Sequence, residues 1–214
     1  MSTSRLRVAV LISGRGSNLQ ALIAAQRSGE LAIEIVVVAS NRSAAEGLRH
    51  AEAAGIATFA LDAGRIPDRA SYDAELFAQI AAFTPDLIVL AGFMRVLDAA
   101  VLTPWAGRII NVHPSLLPKY PGLHTHRRAL EAGDRVHGAS VHFVGAELDA
   151  GPLLACTEIM TEPGDTAESL AARLLPREHA LLCRCVQWIA DGRAQLRGDT
   201  VHFDGTPLSG PLRA

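Results

Sequence analysis

Four short apolar runs alternate with amphipathic segments over the first 91 residues, and this alternation limits the folds open to the chain. The runs are residues 7–12, 33–39, 57–61 and 86–91. Each run is mostly apolar and does not alternate in polarity, which is typical of parallel strands buried on both faces. The segments between them carry apolar residues at helical spacing. The pattern therefore predicts an α/β fold: a Rossmann-like, mostly parallel sheet with helices on both faces and right-handed crossovers.

The pattern changes from residue 136 onward. Residues 136–144 alternate in polarity, with Ser140 and His142 on the polar side, which is typical of a half-exposed strand. Residues 153–160 form the next apolar run, so we expect antiparallel strands to extend the sheet in the C-terminal half. A long helix should follow to about residue 190, and Pro176 is expected to bend or break it. With 214 residues, we expect one domain of two lobes, about 1–105 and about 106–214.

Composition excludes several classes of function. Lys and Arg (20) nearly balance Asp and Glu (22), and no basic run interleaves with aromatic residues, so a nucleic-acid surface is not expected. No window holds the roughly 20 apolar residues of a membrane span. The N-terminus enters a strand rather than a signal sequence, so we expect a cytoplasmic protein. The three cysteines lack metal-ligand spacing, which predicts free thiols and no metal site.

A glycine-rich turn follows the first predicted strand. Ser17 and Gln20 match a capping box, so a helix should begin there with Ser17 as its cap. The amides of Gly16, Ser17 and Asn18 would then face outward at the positive end of the helix, which suits a phosphate group. The turn lacks the third glycine of the dinucleotide fingerprint and the Gly-Lys-Ser/Thr of a P-loop, so a turn that serves packing alone stays open.

Residues 108–118, RIINVHPSLLP, combine an apolar run with polar groups at its end. Asn111 and His113 are two residues apart, so on a strand their side chains point to the same side. Pro114 ends the strand. An amide donor and an imidazole on one rigid strand suit a reaction in which negative charge develops on an oxygen, such as acyl or formyl transfer or hydrolysis. The alternative is a core histidine beside a turn.

Three unusual segments each follow a predicted strand: residues 14–18, 92–97 and 111–114. In an open parallel sheet the strand ends meet at one edge, where ligands bind. Their convergence favours a functional role for His113. Residues 92–97 place Arg95 among apolar side chains, which suits a flat ligand with a carboxylate. Asp149 lies in a flexible turn, where a structural role competes, and His124 and His126 are expected to be solvated loop residues.

Taken together, these motifs closely resemble the folate-dependent formyltransferase family, and within it the phosphoribosylglycinamide formyltransferases. The resemblance covers nearly the whole chain and is carried by residues 12–20 (ISGRGSNLQ), 90–95 (LAGFMR), 111–122 (NVHPSLLPKYPG) and 138–152 (GASVHFVGAELDAGP). The HPSLLP core is common to the wider family. The N-terminal SGRGSNLQ narrows the resemblance to the phosphoribosylglycinamide formyltransferases, because methionyl-tRNA formyltransferases and formyltetrahydrofolate hydrolases carry different sequences there.

The resemblance implies transfer of a formyl group from 10-formyltetrahydrofolate, as co-substrate, to the amine of glycinamide ribonucleotide in purine biosynthesis, by a monomer or homodimer without a metal. It divides the chain into a phosphate-binding lobe and a catalytic, folate-contacting lobe. It implies a catalytic trio of Asn111, His113 and Asp149, supported by Ser140 and His142. Asp149 is expected to pair with the imidazole and to raise the pKa of His113 toward the charged form. The implied ribonucleotide-binding residues are Gly16, Ser17, Asn18, Gly92, Pro114 and Glu178. The implied folate-binding residues are Arg69, Met94, Arg95, Val96, Leu97 and Asn111, with Arg69 near the glutamate tail.

Three alternatives compete with this interpretation. A 10-formyltetrahydrofolate hydrolase would use the same trio with water as acceptor. A non-catalytic nucleotide- or folate-binding protein would not need Asn111, His113 and Asp149 together. A nicotinamide-dependent oxidoreductase would need an acidic residue after the second strand, where the chain has Ser40, Asn41 and Arg42.

Overall fold

A computed structural model of the chain describes residues 5–64, 66 and 68–214. The chain forms two compact units, Met1–Asn111 and Val112–Ala214. The boundary between them falls within a single strand, the one that carries Asn111 and His113.

The first unit alternates strands with helices. Its elements are β1 (Leu6–Ile12), α1 (Ser17–Ser28), β2 (Ile33–Ser40), α2 (Glu46–Ala53), β3 (Thr58–Ala60), α3 (Arg69–Ala81), β4 (Leu87–Leu90), α4 (Ala99–Leu102), a 3₁₀ turn (Thr103–Trp105) and the first part of β5 (Ile109–His113). The strands lie in the order β5-β4-β1-β2-β3, and every neighbouring pair is parallel. The predicted parallel sheet is therefore confirmed.

Burial explains the parallel arrangement. Val8 to Ile12 in β1 and all of β4 are buried, so these strands can lie only where both faces are covered. β1 is paired with β2 on one side and with β4 on the other, which is the point where the strand order reverses. The segments that follow β1 and β4 therefore leave the sheet at a topological switch point, the usual position of a ligand crevice in such sheets.

The second unit carries the antiparallel strands. Its elements are α5 (Thr125–Glu131), β6 (Val136–Phe143), β7 (Leu153–Met160), α6 (Ala167–Ala190), β8 (Ala194–Arg197), β9 (Thr200–Phe203), β10 (Thr206–Pro207) and β11 (Leu212–Arg213). β6 and β7 pair antiparallel, α6 packs against both, and β11 joins β7 in parallel. β8, β9 and β10 form a small antiparallel sheet. The predicted antiparallel extension in the C-terminal half is confirmed.

One local prediction was wrong, and another is decided only in part. Ser17 is the first residue of α1 rather than its cap, because Gly16 occupies the cap position with a φ of 75°, a conformation that glycine adopts at low cost. Pro176 does not break α6, which runs from Ala167 to Ala190 with the proline inside it, and the bend stays a prediction. Leu170, Leu174, Leu181 and Leu182 are buried along this helix, and their packing outweighs the cost of the proline.

None of the helices in the described part of the chain is long and apolar enough to span a membrane.

Candidate active site

His113, at the end of β5, is buried and has a defined orientation. Its Nε2 lies 2.9 Å from the carbonyl oxygen of Tyr120. A carbonyl oxygen can only accept, so Nε2 carries a hydrogen and donates it. The other ring nitrogen, Nδ1, lies 3.5 Å from Oδ2 of Asp149. The Tyr120 carbonyl therefore fixes the tautomer of the neutral ring, with the lone pair of Nδ1 on the Asp149 side.

Asp149 is held by its surroundings rather than left free in a turn. Its φ is 52°, and its side chain is only 7% exposed. Oδ2 accepts the Gly122 amide at 2.8 Å, and Oδ1 lies 3.7 Å from Nε2 of His142. Burial raises the pKa of Asp149, but the hydrogen bond from His142 and the Gly122 amide outweigh it and hold the pKa below its usual value. Asp149 is therefore ionised at neutral pH.

The pKa of His113 was expected to rise beside Asp149, and this expectation was wrong. Burial lowers the pKa more than the Tyr120 carbonyl and the Asp149 carboxylate raise it, so the pKa lies below the ordinary value of 6.5. Only 6% of the residue is exposed, and the charged ring loses most of its hydration there. His113 is therefore neutral at neutral pH, with Nδ1 able to accept a proton.

The strand β6 was expected to be half-exposed, but both of its proposed support residues are buried. Ser140 Oγ accepts the Leu117 amide at 3.1 Å and donates to the Ser115 carbonyl at 2.8 Å, which fixes the segment that follows His113. Nδ1 of His142 lies 3.0 Å from the carbonyl oxygen of Phe143, so Nδ1 donates and Nε2 faces Asp149. The polar residues of β6 alternate as predicted, but they line a buried polar network rather than solvent.

Two histidines were expected to be solvated, and one of them is not. His126 lies in α5, and its Nδ1 is 2.9 Å from Nε2 of the buried His137. Burial lowers the pKa of both rings, that of His137 to about 4. Both rings are therefore neutral at neutral pH. His124 is exposed at the start of the helix, as expected.

In the first unit, the predicted phosphate loop forms the start of α1. Gly16 has a left-handed backbone, and the helix begins at Ser17. The first N–H groups of an α-helix have no acceptor within their own helix, so the amides at this helix start suit an anion. The loop rests on Gly47 of α2, whose amide donates to the Gly14 carbonyl at 3.0 Å. Sequence reasoning missed Gly47, although a glycine inside a helix is a signal of close packing.

The segments after β1 and β4 are tied together by Ser13. The Met94 amide donates to Ser13 Oγ at 2.7 Å, and this hydroxyl donates to Oδ1 of Asn41 at 2.6 Å. Gly92 precedes this contact with a φ of 78°. Met94 and Val96 are exposed, whereas Leu97 is buried. The proposed folate-binding backbone is thus fixed, with two exposed apolar side chains beside it.

Arg95 is stacked on an aromatic ring. Its Cζ lies 4.1 Å from the centroid of the buried Tyr72. Its Nε is buried and makes no hydrogen bond to residues 5–64, 66 or 68–214. Arg69, by contrast, is exposed and lies 3.6 Å from Oδ2 of Asp98. The buried Tyr72 ring therefore holds the guanidinium in place.

The remaining predicted residues lie on defined elements. Asn111 is in β5, paired with Leu90 of β4, and Pro114 follows the strand directly. Glu178 is buried in α6, 8% exposed, two residues after Pro176. The structure brings His113, Asp149 and His142 into contact distance within the second unit, and it brings the loops at residues 13–16 and 92–94 together within the first.

Comparison with known proteins gives consistent matches. The sequence profile described as "Formyl transferase" matches residues 6–186. The phosphoribosylglycinamide formyltransferase of Escherichia coli (strain K12) is 47% identical over 95% of this chain and 96% of its own length. The solved structure of the Coxiella burnetii phosphoribosylglycinamide formyltransferase, in complex with CHES, has a TM-score of 0.93 and 45% identity, covering 98% of this chain and 100% of that one.

A more distant structure represents a different activity. The formyltetrahydrofolate deformylase of Pseudomonas syringae pv. tomato has a TM-score of 0.86 and 26% identity, covering 94% of this chain and 67% of that one. The fold is thus common to transferases and a deformylase, while the sequence is nearer to the transferases.

Proposed function

The chain belongs to the formyl transferase family, and from that premise we propose that it transfers the formyl group of 10-formyltetrahydrofolate to the amine of N1-(5-phosphoribosyl)glycinamide. The products are the N-formyl ribonucleotide and tetrahydrofolate, a step of de novo purine (IMP) biosynthesis. The observation that carries the proposal is the buried His113, whose Nδ1 lies 3.5 Å from Oδ2 of the Asp149 side chain, itself only 7% exposed.

The amine attacks the formyl carbon directly, without a covalent enzyme intermediate. Asn111 points to the same side of β5 as His113, and its amide donates to the oxygen on which negative charge develops. Nδ1 of His113 accepts the proton that the amine loses, and Asp149 stabilises the resulting imidazolium. The Nδ1–Oδ2 distance of 3.5 Å is longer than a charge-assisted hydrogen bond, so this proton stays available for the leaving nitrogen, directly or through a water.

The ribonucleotide is assigned to backbone groups and one carboxylate. The amides of Gly16, Ser17 and Asn18 hold the phosphate at the start of α1. Glu178 accepts hydrogen bonds from the ribose hydroxyls. Gly92 and Pro114 contribute backbone surface to the same substrate, since neither has a polar side chain.

The folate is assigned to the segment after β4. The backbone of residues 94–97, fixed through Ser13, receives the flat ring system, and the exposed Met94 and Val96 cover its apolar face. Arg95, stacked on Tyr72, donates to the folate. Arg69 lies near the glutamate tail, where an exposed cation suits a solvated carboxylate.

The test of this function is an assay with both substrates. We expect tetrahydrofolate to form only when the ribonucleotide is supplied, and we expect added divalent metal to make no difference. His113→Ala and Asn111→Ala should each lower kcat by about a hundredfold or more, because each removes a group that acts in the transition state. His202→Ala, in β9, is the matched control and should keep the wild-type kcat.

The deformylase likeness makes hydrolysis the second candidate. It predicts tetrahydrofolate release at the same rate with and without ribonucleotide, since water would be the acceptor. Calorimetry that showed both ligands bound without turnover would instead favour a non-catalytic binding protein. Either result would overturn the proposed transfer.

A further inference from the structure

Asp134, which precedes β6, binds two neighbouring side chains at once. Its Oδ1 and Oδ2 each lie 2.8 Å from Nζ of Lys119, and Oδ2 also accepts the Tyr120 hydroxyl at 2.8 Å. The backbone of Asp134 is itself fixed, because its amide donates to the Ala129 carbonyl and its carbonyl accepts the Thr161 hydroxyl at 2.7 Å. A single carboxylate on a fixed backbone thus holds both side chains of the Lys119–Tyr120 pair.

This pair includes a costly backbone conformation. Tyr120 has a φ of 56°, in the left-handed region that bulky residues rarely adopt. Such a conformation persists only where the surroundings determine it. The contacts on this pair include the hydroxyl of Tyr120 on Asp134 and the Arg128 guanidinium over the Tyr120 ring. The Ser115 hydroxyl donates to the Lys119 carbonyl at 2.6 Å and lies 3.5 Å from the Tyr120 carbonyl.

The backbone of Tyr120 matters because its carbonyl oxygen lies 2.9 Å from Nε2 of His113. A return of Tyr120 to a negative φ would rotate the peptide groups on either side of it and move this carbonyl. Without that acceptor nothing would hold the hydrogen on Nε2, and the ring could exchange to the tautomer with Nδ1 protonated. A ring in that tautomer has no lone pair on the Asp149 side.

We propose that Asp134 is a positioning residue for His113: through Tyr120 and Lys119 it keeps the Tyr120 carbonyl on Nε2, and so keeps Nδ1 of His113 able to accept a proton. The proposal rests on the proposed function only for its effect on turnover. Its structural part concerns a tautomer, which exists in the free protein. Asp134 touches neither substrate nor the reacting atoms in this scheme.

The charge state of Asp134 supports this role. The hydrogen bonds from Lys119 and Tyr120 hold the pKa of Asp134 below its ordinary value. Asp134 is therefore ionised at neutral pH and accepts from both partners. Although Lys119 is well exposed, the Asp134 side chain is only 18% exposed, so the carboxylate is partly shielded from competing water.

The first test is ¹⁵N NMR of the histidine rings in the full-length protein without substrates. At a pH where His113 is neutral, we expect the wild-type ring to show a protonated Nε2 and an unprotonated Nδ1. Asp134→Ala should shift the signals toward a mixture of tautomers, and Asp134→Asn, which keeps an acceptor, should partly restore the wild-type signals. Asp204→Asn is the matched control, because it removes a carboxylate that binds Arg193 at the small sheet of β8, β9 and β10. It should leave the His113 signals unchanged.

The second test is the kinetics of the same variants. Misplacement of a reacting group costs between about tenfold and about a hundredfold, so we expect Asp134→Ala to lower kcat by that factor while both KM values stay within about threefold. Tyr120→Phe removes only the hydroxyl and should lower kcat by a smaller factor. It is the substitute test if Asp134→Ala is too unstable to assay. Wild-type tautomer and kcat in both variants would overturn the proposal. A wild-type protein without turnover would contradict the proposed function alone, because the tautomer can still be read.

Discussion

Gly16 packs against Gly47 so closely that a Cβ on Gly16 would lie 2.8 Å from the Cα of Gly47. The start of α1, which is assigned to the phosphate, therefore rests directly on the first turn of α2. Two glycines make this approach possible, since a Cβ on Gly16 would enter the Gly47 backbone and a Cβ on Gly47 would clash with Ile12 and press on Gly16. The geometry of the phosphate loop thus depends on a residue that lies outside it.

Gly47→Ala tests this dependence. The added Cβ would lie 2.5 Å from Cδ1 of Ile12 and 3.1 Å from the Cα of Gly16, so the loop must move. We expect the KM for glycinamide ribonucleotide to rise by about tenfold or more, while the affinity for a stable 10-formyltetrahydrofolate analogue, measured by calorimetry, stays within about threefold. Gly14→Ala is the control for stability, because a Cβ there meets no atom within 4 Å.

Equal weakening of both ligands by Gly47→Ala would show that the loop shapes the whole site. A change of Gly16 itself, such as Gly16→Val, is a weaker test. A valine at position 16 would strain the backbone, because Gly16 has a φ of 75° and contacts Gly47. This strain would arise whether or not the loop binds a phosphate.

The titration of His113 is the second prediction. Burial lowers the pKa of His113 most; among the neighbouring groups, the Tyr120 carbonyl and Asp149 raise it, whereas His142 and Arg128 lower it. We therefore expect NMR titration of the free protein to place the pKa of His113 below 6.5. Asp149→Asn removes a contribution that favours the charged ring, so it should lower the pKa further. A pKa above 6.5, or a rise in Asp149→Asn, would contradict the neutral His113 on which the proposed proton transfer depends.

The sequence carried enough information for most of the fold. A continuous apolar run such as residues 87–90 must be buried on both faces, so the order of these runs along the chain predicts a parallel sheet. The alternating run at residues 136–144 correctly predicted an antiparallel strand, β6, but its polar face is buried. Alternation alone shows that the two faces of a strand differ in polarity. It does not show whether polar side chains such as His142 meet water or a buried partner such as Asp149.

The candidate site was harder to predict where it depends on backbone contacts. Asn111, His113 and Asp149 could be named from residue type and motif. The role of Tyr120 could not be predicted, because it contacts His113 through its carbonyl oxygen, which every residue has. The direction of the His113 pKa was missed for a related reason: the sequence shows the neighbouring charge but not the depth of burial, and burial decides the sign.

Arg95→Lys is the third prediction. Lysine keeps the charge but loses the planar guanidinium and the buried Nε donor that makes no hydrogen bond within the described residues. We expect the Kd for the folate analogue to rise between about tenfold and about a hundredfold, as for the loss of a hydrogen bond from a charged group. The KM for the ribonucleotide should stay within about threefold. Arg49→Lys on the exposed surface of α2 is the matched control, and an equal effect of the two changes would show that Arg95 does not contact the folate.

Pro176 in α6 gives the last prediction. Proline has no N–H, so the helical hydrogen bond to the carbonyl of Ala172 cannot form, and proline costs about 3 kcal/mol relative to alanine in a helix interior. Proline also restricts the unfolded chain, which offsets about 0.4–1 kcal/mol of that cost. We therefore expect Pro176→Ala to raise the free energy of unfolding by about 2 kcal/mol in urea denaturation. Because α6 is already continuous through this position, Glu178 should not move, and the KM for the ribonucleotide should stay within about threefold. Arg177→Ala, the exposed neighbour, should change the free energy of unfolding by less than about 0.5 kcal/mol.

If Pro176→Ala gained stability but lost affinity for the ribonucleotide, the proline would be needed to place Glu178, and its cost to the helix would serve binding.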